Sequence, residues 1–84
     1  MRTSNLPFAA LRRMLLDLDF EESTARTGAL VFTHVPSDTV LLFRAYQPQE
    51  KVSWADVVSV RKQLDERGLL AADTFDSLLR KASA

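Results

Sequence analysis

Apolar and β-branched residues are densest in the middle of the chain, in two runs separated by a turn. The first run spans residues 28–34 and the second spans residues 39–46. Pro36, Ser37 and Asp38 lie between them and are typical turn formers. In each run the larger apolar side chains recur at every second position, which is the period of a half-buried strand. The pattern predicts a β-hairpin. Its expected core face carries Leu30, Phe32, Leu41 and Phe43.

The opposite face of this hairpin is also rather apolar. Val31 lies on it from the first run, and Val40 and Leu42 lie on it from the second, followed by Arg44 and Tyr46. When helices cover only one side of a sheet, the other side is left to solvent or to a partner. This face is therefore a candidate contact surface.

The residues before the hairpin predict a helix over residues 7–18. Its apolar positions recur every three or four residues. They are Phe8, Leu11, Leu15 and Leu18. Ser4 or Asn5 is expected to cap this helix, and Pro7 fits its first turn.

The residues after the hairpin predict two more helices. Ser53 and Asp56 form a capping box at the start of the first one, and Gly68 is placed to end it in a left-handed C-cap. Its expected inward positions are Trp54, Val57, Val60 and Leu64. Asp73 can cap the last helix, which is expected over residues 74–81. Its inward positions are Phe75, Leu78, Leu79 and Ala82.

Two connecting segments complete the order of elements. Residues 20–26 are typical of a short, charged edge strand, and residues 47–51 are expected to form a loop. The resulting order is α-β-β-β-α-α. It predicts an α+β fold in which a three-stranded antiparallel sheet carries its helices on one face.

Length and composition narrow the possible functions. The chain of 84 residues is expected to form a single domain over residues 1–84. Its formal net charge is zero, so it lacks the basic surplus that is typical of proteins that bind nucleic-acid backbones. It has no cysteine, which excludes disulfides and thiolate chemistry. With no apolar run of membrane length and no signal-like N-terminus, we expect a cytoplasmic location and no membrane contact.

Several short motifs resemble those of the HicA/YcfA-like family. They are a Leu18-Asp19-Phe20 step, a Thr27-Gly28 turn, an aromatic-x-His-x-Pro hairpin at residues 32–36 and an Arg67-Gly68-Leu69 helix end. The members of this family are small bacterial proteins, many of them toxins of toxin–antitoxin pairs. The resemblance covers residues 6–80. It implies a fold similar to the double-stranded-RNA-binding domain and the cleavage of mRNA by a catalytic histidine.

The chain departs from that family at the catalytic position. The family's toxins carry a Gly-Ser-His stretch in the first hairpin strand. Aligning on Gly28 places Leu30 at the histidine position, and aligning on residues 32–34 places Ala29 there. Neither residue can act as a general base, so we expect no catalysis from this position. His34 matches a second histidine of the family and is the weak catalytic candidate that is left.

Five further residues are candidates for binding RNA or a partner. One candidate group is Arg44, Tyr46 and Lys51, which could bind a phosphate and stack against a nucleic-acid base. The other is Arg61 with Lys62, which could form a basic stripe on the second helix. The alternative is an ordinary solvated surface, since acidic residues are interspersed. The second helix also opens on a neutral to acidic turn, where double-stranded-RNA-binding domains carry lysines, and this disfavours duplex RNA.

The acidic residues after the first helix are interpreted as a solvated helix end, although convergent carboxylates could bind a cation. They are Asp17, Asp19, Glu21 and Glu22. We expect no metal and no small-molecule cofactor.

The leading interpretation is a HicA-like domain that acts by binding RNA or a protein. The expected protein partner is an antitoxin-like chain. Neutral charge and the apolar second face of the hairpin favour protein. One alternative is an active ribonuclease toxin that uses His34. The other is a homodimeric structural or regulatory subunit joined through its sheet face.

Overall fold

A computed structural model describes residues 3–83 of the chain. A short 3-10 turn, Val35–Ser37, joins the two strands of the central hairpin. The other elements, in chain order, are β1 (Thr3–Pro7), α1 (Phe8–Asp17), β2 (Glu21–Thr24), β3 (Leu30–His34), β4 (Thr39–Phe43), β5 (Lys51–Ser53), α2 (Trp54–Glu66) and α3 (Ala72–Ser83).

The central sheet is antiparallel and has three strands in the order β2-β3-β4. In its register Phe32 lies opposite Leu41, and Leu30 lies opposite Phe43. Phe32, Leu41 and Phe43 are buried, and Leu30 packs half-buried against them. The predicted hairpin, its core face, the edge strand and the α+β fold are all confirmed.

The three helices pack on the core face of this sheet. The ring of Phe8 in α1 meets those of Phe32 and Phe43 edge to face, at centroid separations of 6.3 and 5.9 Å. The other buried helical side chains are Leu11, Leu15, Val57, Val60, Leu64 and Phe75. Trp54 was expected among them, but it is 38% exposed. Val52, two residues earlier in β5, is the fully buried side chain at that end of α2.

A second, two-stranded sheet joins the N-terminal segment to the segment just before α2. β1 pairs antiparallel with β5, with Thr3 opposite Ser53. The expectation of a loop through residue 51 and of a helix cap at Ser4 or Asn5 is therefore wrong, since both residues lie in β1. Ser4 is buried, and its hydroxyl donates to the carbonyl of Val52 at 2.7 Å. β1 alternates in burial, but Ser4 is one of its two buried residues and is polar, and β5 has only three residues. Neither segment therefore shows an alternation of apolar and polar residues.

The start of α1 is capped by backbone carbonyls instead of a side chain. Pro7 is the N-cap residue, in an extended conformation. The amide of Phe8 donates to the carbonyl of Glu50, and that of Ala9 donates to Pro48, each at 2.8 Å. The turn before β5 thus satisfies two of the free donors that every helix start exposes.

The predicted ends of α2 are confirmed. The Ser53 hydroxyl accepts a hydrogen bond from the amide of Asp56 at 3.3 Å. At the other end Gly68 has a φ of +69°, and the amide of Leu69 donates to the carbonyl of Leu64 at 2.9 Å. This is the bond that defines a Schellman C-cap. The last helix begins at Ala72, two residues earlier than expected.

Candidate functional site

The outer face of the central sheet, on the side away from the core, exposes large apolar side chains. Leu42 is 68% exposed and Val40 is 49% exposed. Val31 pairs with Leu42 across the β3–β4 ladder and shares their face. Val35 lies in the adjoining 3-10 turn and is also exposed. The sequence alternation placed the three strand residues correctly, and we call this group, with Val35, the outer apolar patch.

Tyr46 does not belong to this patch, and its predicted place beside Arg44 on the outer face is wrong. β4 ends at Phe43, and the amide of Tyr46 bonds back to the carbonyl of Arg44 at 2.8 Å. This tight turn breaks the alternation of faces. Tyr46 is only 6% exposed, and its ring stacks on that of Phe8 at a centroid separation of 5.2 Å.

The hydroxyl of Tyr46 completes the start of α2. It accepts a hydrogen bond from the amide of Ser53 at 3.1 Å and donates to a carboxylate oxygen of Asp56 at 2.6 Å. In an ordinary capping box the acid itself reaches back to the N-cap amide. Here the shorter Asp56 is bridged to that amide by the tyrosine. Nothing in the sequence indicated this role.

Arg44 is held against Tyr46 and paired with an acid. Its guanidinium carbon lies 4.0 Å from the centroid of the Tyr46 ring, which is the geometry of a cation–π contact. A guanidinium nitrogen also donates to the carboxylate of Glu50. That hydrogen bond, with a second from the amide of Gln47, lowers the pKa of Glu50. The charge of Arg44 is therefore already compensated by a neighbouring carboxylate.

The other predicted cations are dispersed. Arg61 makes two hydrogen bonds to the carboxylate of Asp76, at 2.9 and 3.2 Å. Lys62 pairs with Glu66 at 3.8 Å. The ammonium of Lys51 lies 3.5 Å from the backbone carbonyl of Asn5, at the edge of β1. Arg61 and Lys62, like Arg44, therefore each have a carboxylate partner within the domain.

The Arg61–Asp76 pair predicts a pH dependence of stability. The hydrogen bonds from Arg61 lower the pKa of Asp76 below its ordinary value. A lowered folded-state pKa contributes stability above the unfolded-state pKa, and this contribution is lost as pH falls through the folded-state pKa. Asp76→Asn should therefore make the free energy of unfolding less dependent on pH below about pH 4. Urea unfolding across that range measures it. Arg61→Gln should have the same effect, and an unchanged slope in both variants would show that the pair contributes nothing.

His34 is built into the hairpin turn. Its Nδ1 lies 2.7 Å from the hydroxyl of Ser37, which in turn lies 2.6 Å from the hydroxyl of Thr39. The ring of Phe20 packs against the imidazole at 5.3 Å. No carboxylate within the described residues forms a salt bridge with His34. These contacts order the hairpin turn.

The position that the HicA/YcfA resemblance marks as catalytic contains no base in either alignment. Leu30 is half-buried on the core face opposite Phe43, and Ala29 precedes β3.

Within residues 3–83 there is also no group of three or more acidic or histidine side chains able to hold a metal ion. No described helix has both the length and the hydropathy needed to cross a membrane.

A groove of about 410 Å³ lies between α1 and α3, and none of the predicted site residues lines it. Its lining includes the apolar side chains of Met14, Leu18 and Leu78. Arg13 and Lys81 line its rim, and Arg13 pairs there with Asp17 at 3.3 Å. It contains neither a nucleophile beside a base nor the histidine.

Comparison with protein-family models, with curated proteins and with solved structures finds no match to this chain.

Proposed function

We propose that this chain is a HicA-like domain that has no ribonuclease activity and binds a protein through its outer apolar patch. The observation that carries the proposal is the exposure of Leu42 and Val40 beside Val31 on a sheet face opposite all three helices. Apolar side chains gathered on a solvent-facing sheet are typical of an interaction surface. The partner belongs to the antitoxin-like class that the HicA resemblance implies.

The charges of the domain favour protein over RNA. Binding to a nucleic-acid backbone depends on cations that can displace counterions from phosphates. Arg44, Arg61 and Lys62 each have a carboxylate partner within the domain. The first turn of α2, where an RNA-binding domain of this kind would place lysines, carries Asp56.

The surroundings of the patch indicate the chemistry of its partner. Ser23 of β2 lies beside Val31 in the ladder, and Thr33 lies beside Val40. Small hydroxyl side chains thus adjoin the outer apolar patch, and Glu21 lies beside Thr33 on the β2 side of it. A partner of matching chemistry presents branched apolar side chains to the centre and a cation to that side.

Val31→Glu is the variant that tests the patch. Partners are captured from the source cells, identified, purified and titrated against the domain by calorimetry. A buried charge at the centre of the patch should weaken binding at least about tenfold. Val58→Glu on α2 is the matched control, since Val58 is 57% exposed and lies on a helix. Equal affinities of the two variants would place the partner elsewhere.

An assay with RNA tests the two alternatives, RNA cleavage and RNA binding. The purified domain is incubated with labelled RNA, and both cleavage and mobility are followed. We expect neither cleavage nor a shift. If the domain cleaves RNA and folded His34→Ala does not, the active-toxin alternative is correct and the proposal is wrong. A mobility shift without cleavage would identify RNA as the ligand instead of a protein.

A further inference from the structure

The two edges of the central sheet differ in chemistry. β2 forms one edge, and its exposed residues include Glu21 and Glu22. Charged residues on an edge strand discourage pairing with another chain. β4 forms the other edge, with the sequence Thr-Val-Leu-Leu-Phe. It has neither a charge nor a proline, and of the described strands only β3 is its neighbour.

α2 runs antiparallel alongside β4. Just before β4, the carbonyl of Ser37 accepts a hydrogen bond from Arg67 at 3.2 Å. Just after β4, the hydroxyl of Tyr46 donates to Asp56 at 2.6 Å. The C-terminal end of α2 thus lies near the start of β4, and the N-terminal end of α2 lies near the end of β4.

We call the side of α2 that carries Asp56 and Arg67 the α2 flank. Between Asp56 and Arg67, the positions at helical spacing on the same side are Ser59 and Gln63. Their side chains are neutral and hydrogen-bonded to each other at 3.1 Å. The flank therefore has an acid at one end, a base at the other and no charge in the middle.

We propose that this edge binds a second copy of the chain. The two β4 strands pair antiparallel across a two-fold axis, and the two central sheets become one sheet of six strands. With the axis near Leu41, Val40 lies opposite Leu42 of the other copy, and the outer apolar patch continues across the junction. The two α2 helices then lie antiparallel to each other, which brings Asp56 toward the partner's Arg67.

Self-complementarity is the reason for choosing a second copy over an unrelated strand. In a two-fold interface each surface meets itself reversed, so an acid at one end must match a base at the other. The α2 flank has this arrangement, and its neutral middle avoids like-charge contacts. The formal net charge of zero adds no general repulsion between copies. A domain of this size also buries a smaller share of its surface than a larger domain does, so association can add to its stability.

This inference does not depend on the proposed function. The β4 edge lies beside the outer apolar patch, and pairing there leaves the patch open to a protein partner. The dimer presents two patches in one continuous sheet.

Sedimentation equilibrium over a range of concentrations tests the dimer. The native chain should approach twice its monomer mass of 9.5 kDa. Gln63→Lys places two like charges close together across the axis and should raise the dimer dissociation constant at least about tenfold. Gln49→Lys adds the same charge in the exposed turn before β5 and should leave dimerisation unchanged. Hydrogen exchange at the amides of β4 should slow as protein concentration rises.

Three outcomes would overturn the inference. The first is a native chain that remains monomeric at every concentration. The second is a Gln63→Lys variant that dimerises as tightly as Gln49→Lys. The third is a dimer abolished by Val31→Glu and unaffected by Gln63→Lys, because Val31 lies on the central strand and would report packing of sheet faces instead of edges.

Discussion

Phe32→Ala should lower the free energy of unfolding by about 4 kcal/mol, the largest single effect expected in this domain. Phe32 is fully buried on the central strand, and its ring meets Phe8 and Phe43 edge to face. Truncation removes these contacts and leaves a cavity between the sheet and α1. Urea unfolding measures the loss. Because the total stability of a small domain is often only about 5–15 kcal/mol, Phe32→Leu provides a milder second variant with the same direction of effect.

Leu42→Ala is the matched control for this prediction. Leu42 lies on the same sheet, but on its outer face, and is 68% exposed. Its truncation should change the free energy of unfolding by no more than about 0.5 kcal/mol. If Leu42→Ala destabilised the isolated monomer as much as Phe32→Leu, the outer face would not be a free surface. The proposed partner site would then be wrong.

Tyr46→Phe should lower the free energy of unfolding by about 2 kcal/mol. The substitution keeps the ring that stacks on Phe8 and removes only the hydroxyl. Without it, the buried amide of Ser53 loses its acceptor at 3.1 Å, and Asp56 loses its donor at 2.6 Å. An unsatisfied buried donor costs more than the net value of a hydrogen bond, so the effect should exceed that of an ordinary surface bond. Thermal and urea unfolding of the two proteins give the difference.

Ser53→Ala provides the comparison for the tyrosine. It removes the side-chain cap of α2 and should cost about 1 kcal/mol. If the tyrosine bridges the cap as described, its loss should cost more than the loss of the serine hydroxyl. A cost for Tyr46→Phe below about 0.5 kcal/mol would mean that water replaces the hydroxyl, and Tyr46 would then be a packing residue only.

Phe32 and Tyr46 each hold in place one of the two proposed binding surfaces, the outer apolar patch and the β4 edge. Phe32 holds the central sheet against α1, and the outer apolar patch lies on the reverse side of that sheet. Tyr46 ties the end of β4 to the start of α2, which sets the α2 flank beside the β4 edge. A variant that weakens either support is therefore expected to affect binding indirectly, which is why the binding tests use surface positions instead.

The hairpin shows how far local patterns reach. Its two faces follow from alternation along a strand, which is a property of the backbone geometry. The assignment of Phe32 to the core and of Leu42 to the outer face was therefore possible from sequence. The same rule failed at Tyr46, since it holds only while the strand continues and no local signal marks the end of β4 at Phe43.

The candidate site depended more on contacts distant in sequence. The cations predicted for RNA binding were correctly read as surface residues, but their partners could not be assigned. Arg61 pairs with Asp76 on another helix, and Arg44 pairs with Glu50 across a turn. Which acid neutralises which base depends on how helices and turns are placed together, and spacing along one element does not carry that information.

By itself the sequence determined the α+β class, the antiparallel hairpin with its two faces and both ends of α2. Each of these follows from interactions within a few residues: strand alternation, helical spacing, a serine cap and a glycine C-cap. Only the tertiary structure decided the β1–β5 pairing, the burial of Tyr46 and the run of α2 beside β4. These join residues far apart in the chain, where the energy of packing and of satisfied buried hydrogen bonds outweighs any local preference.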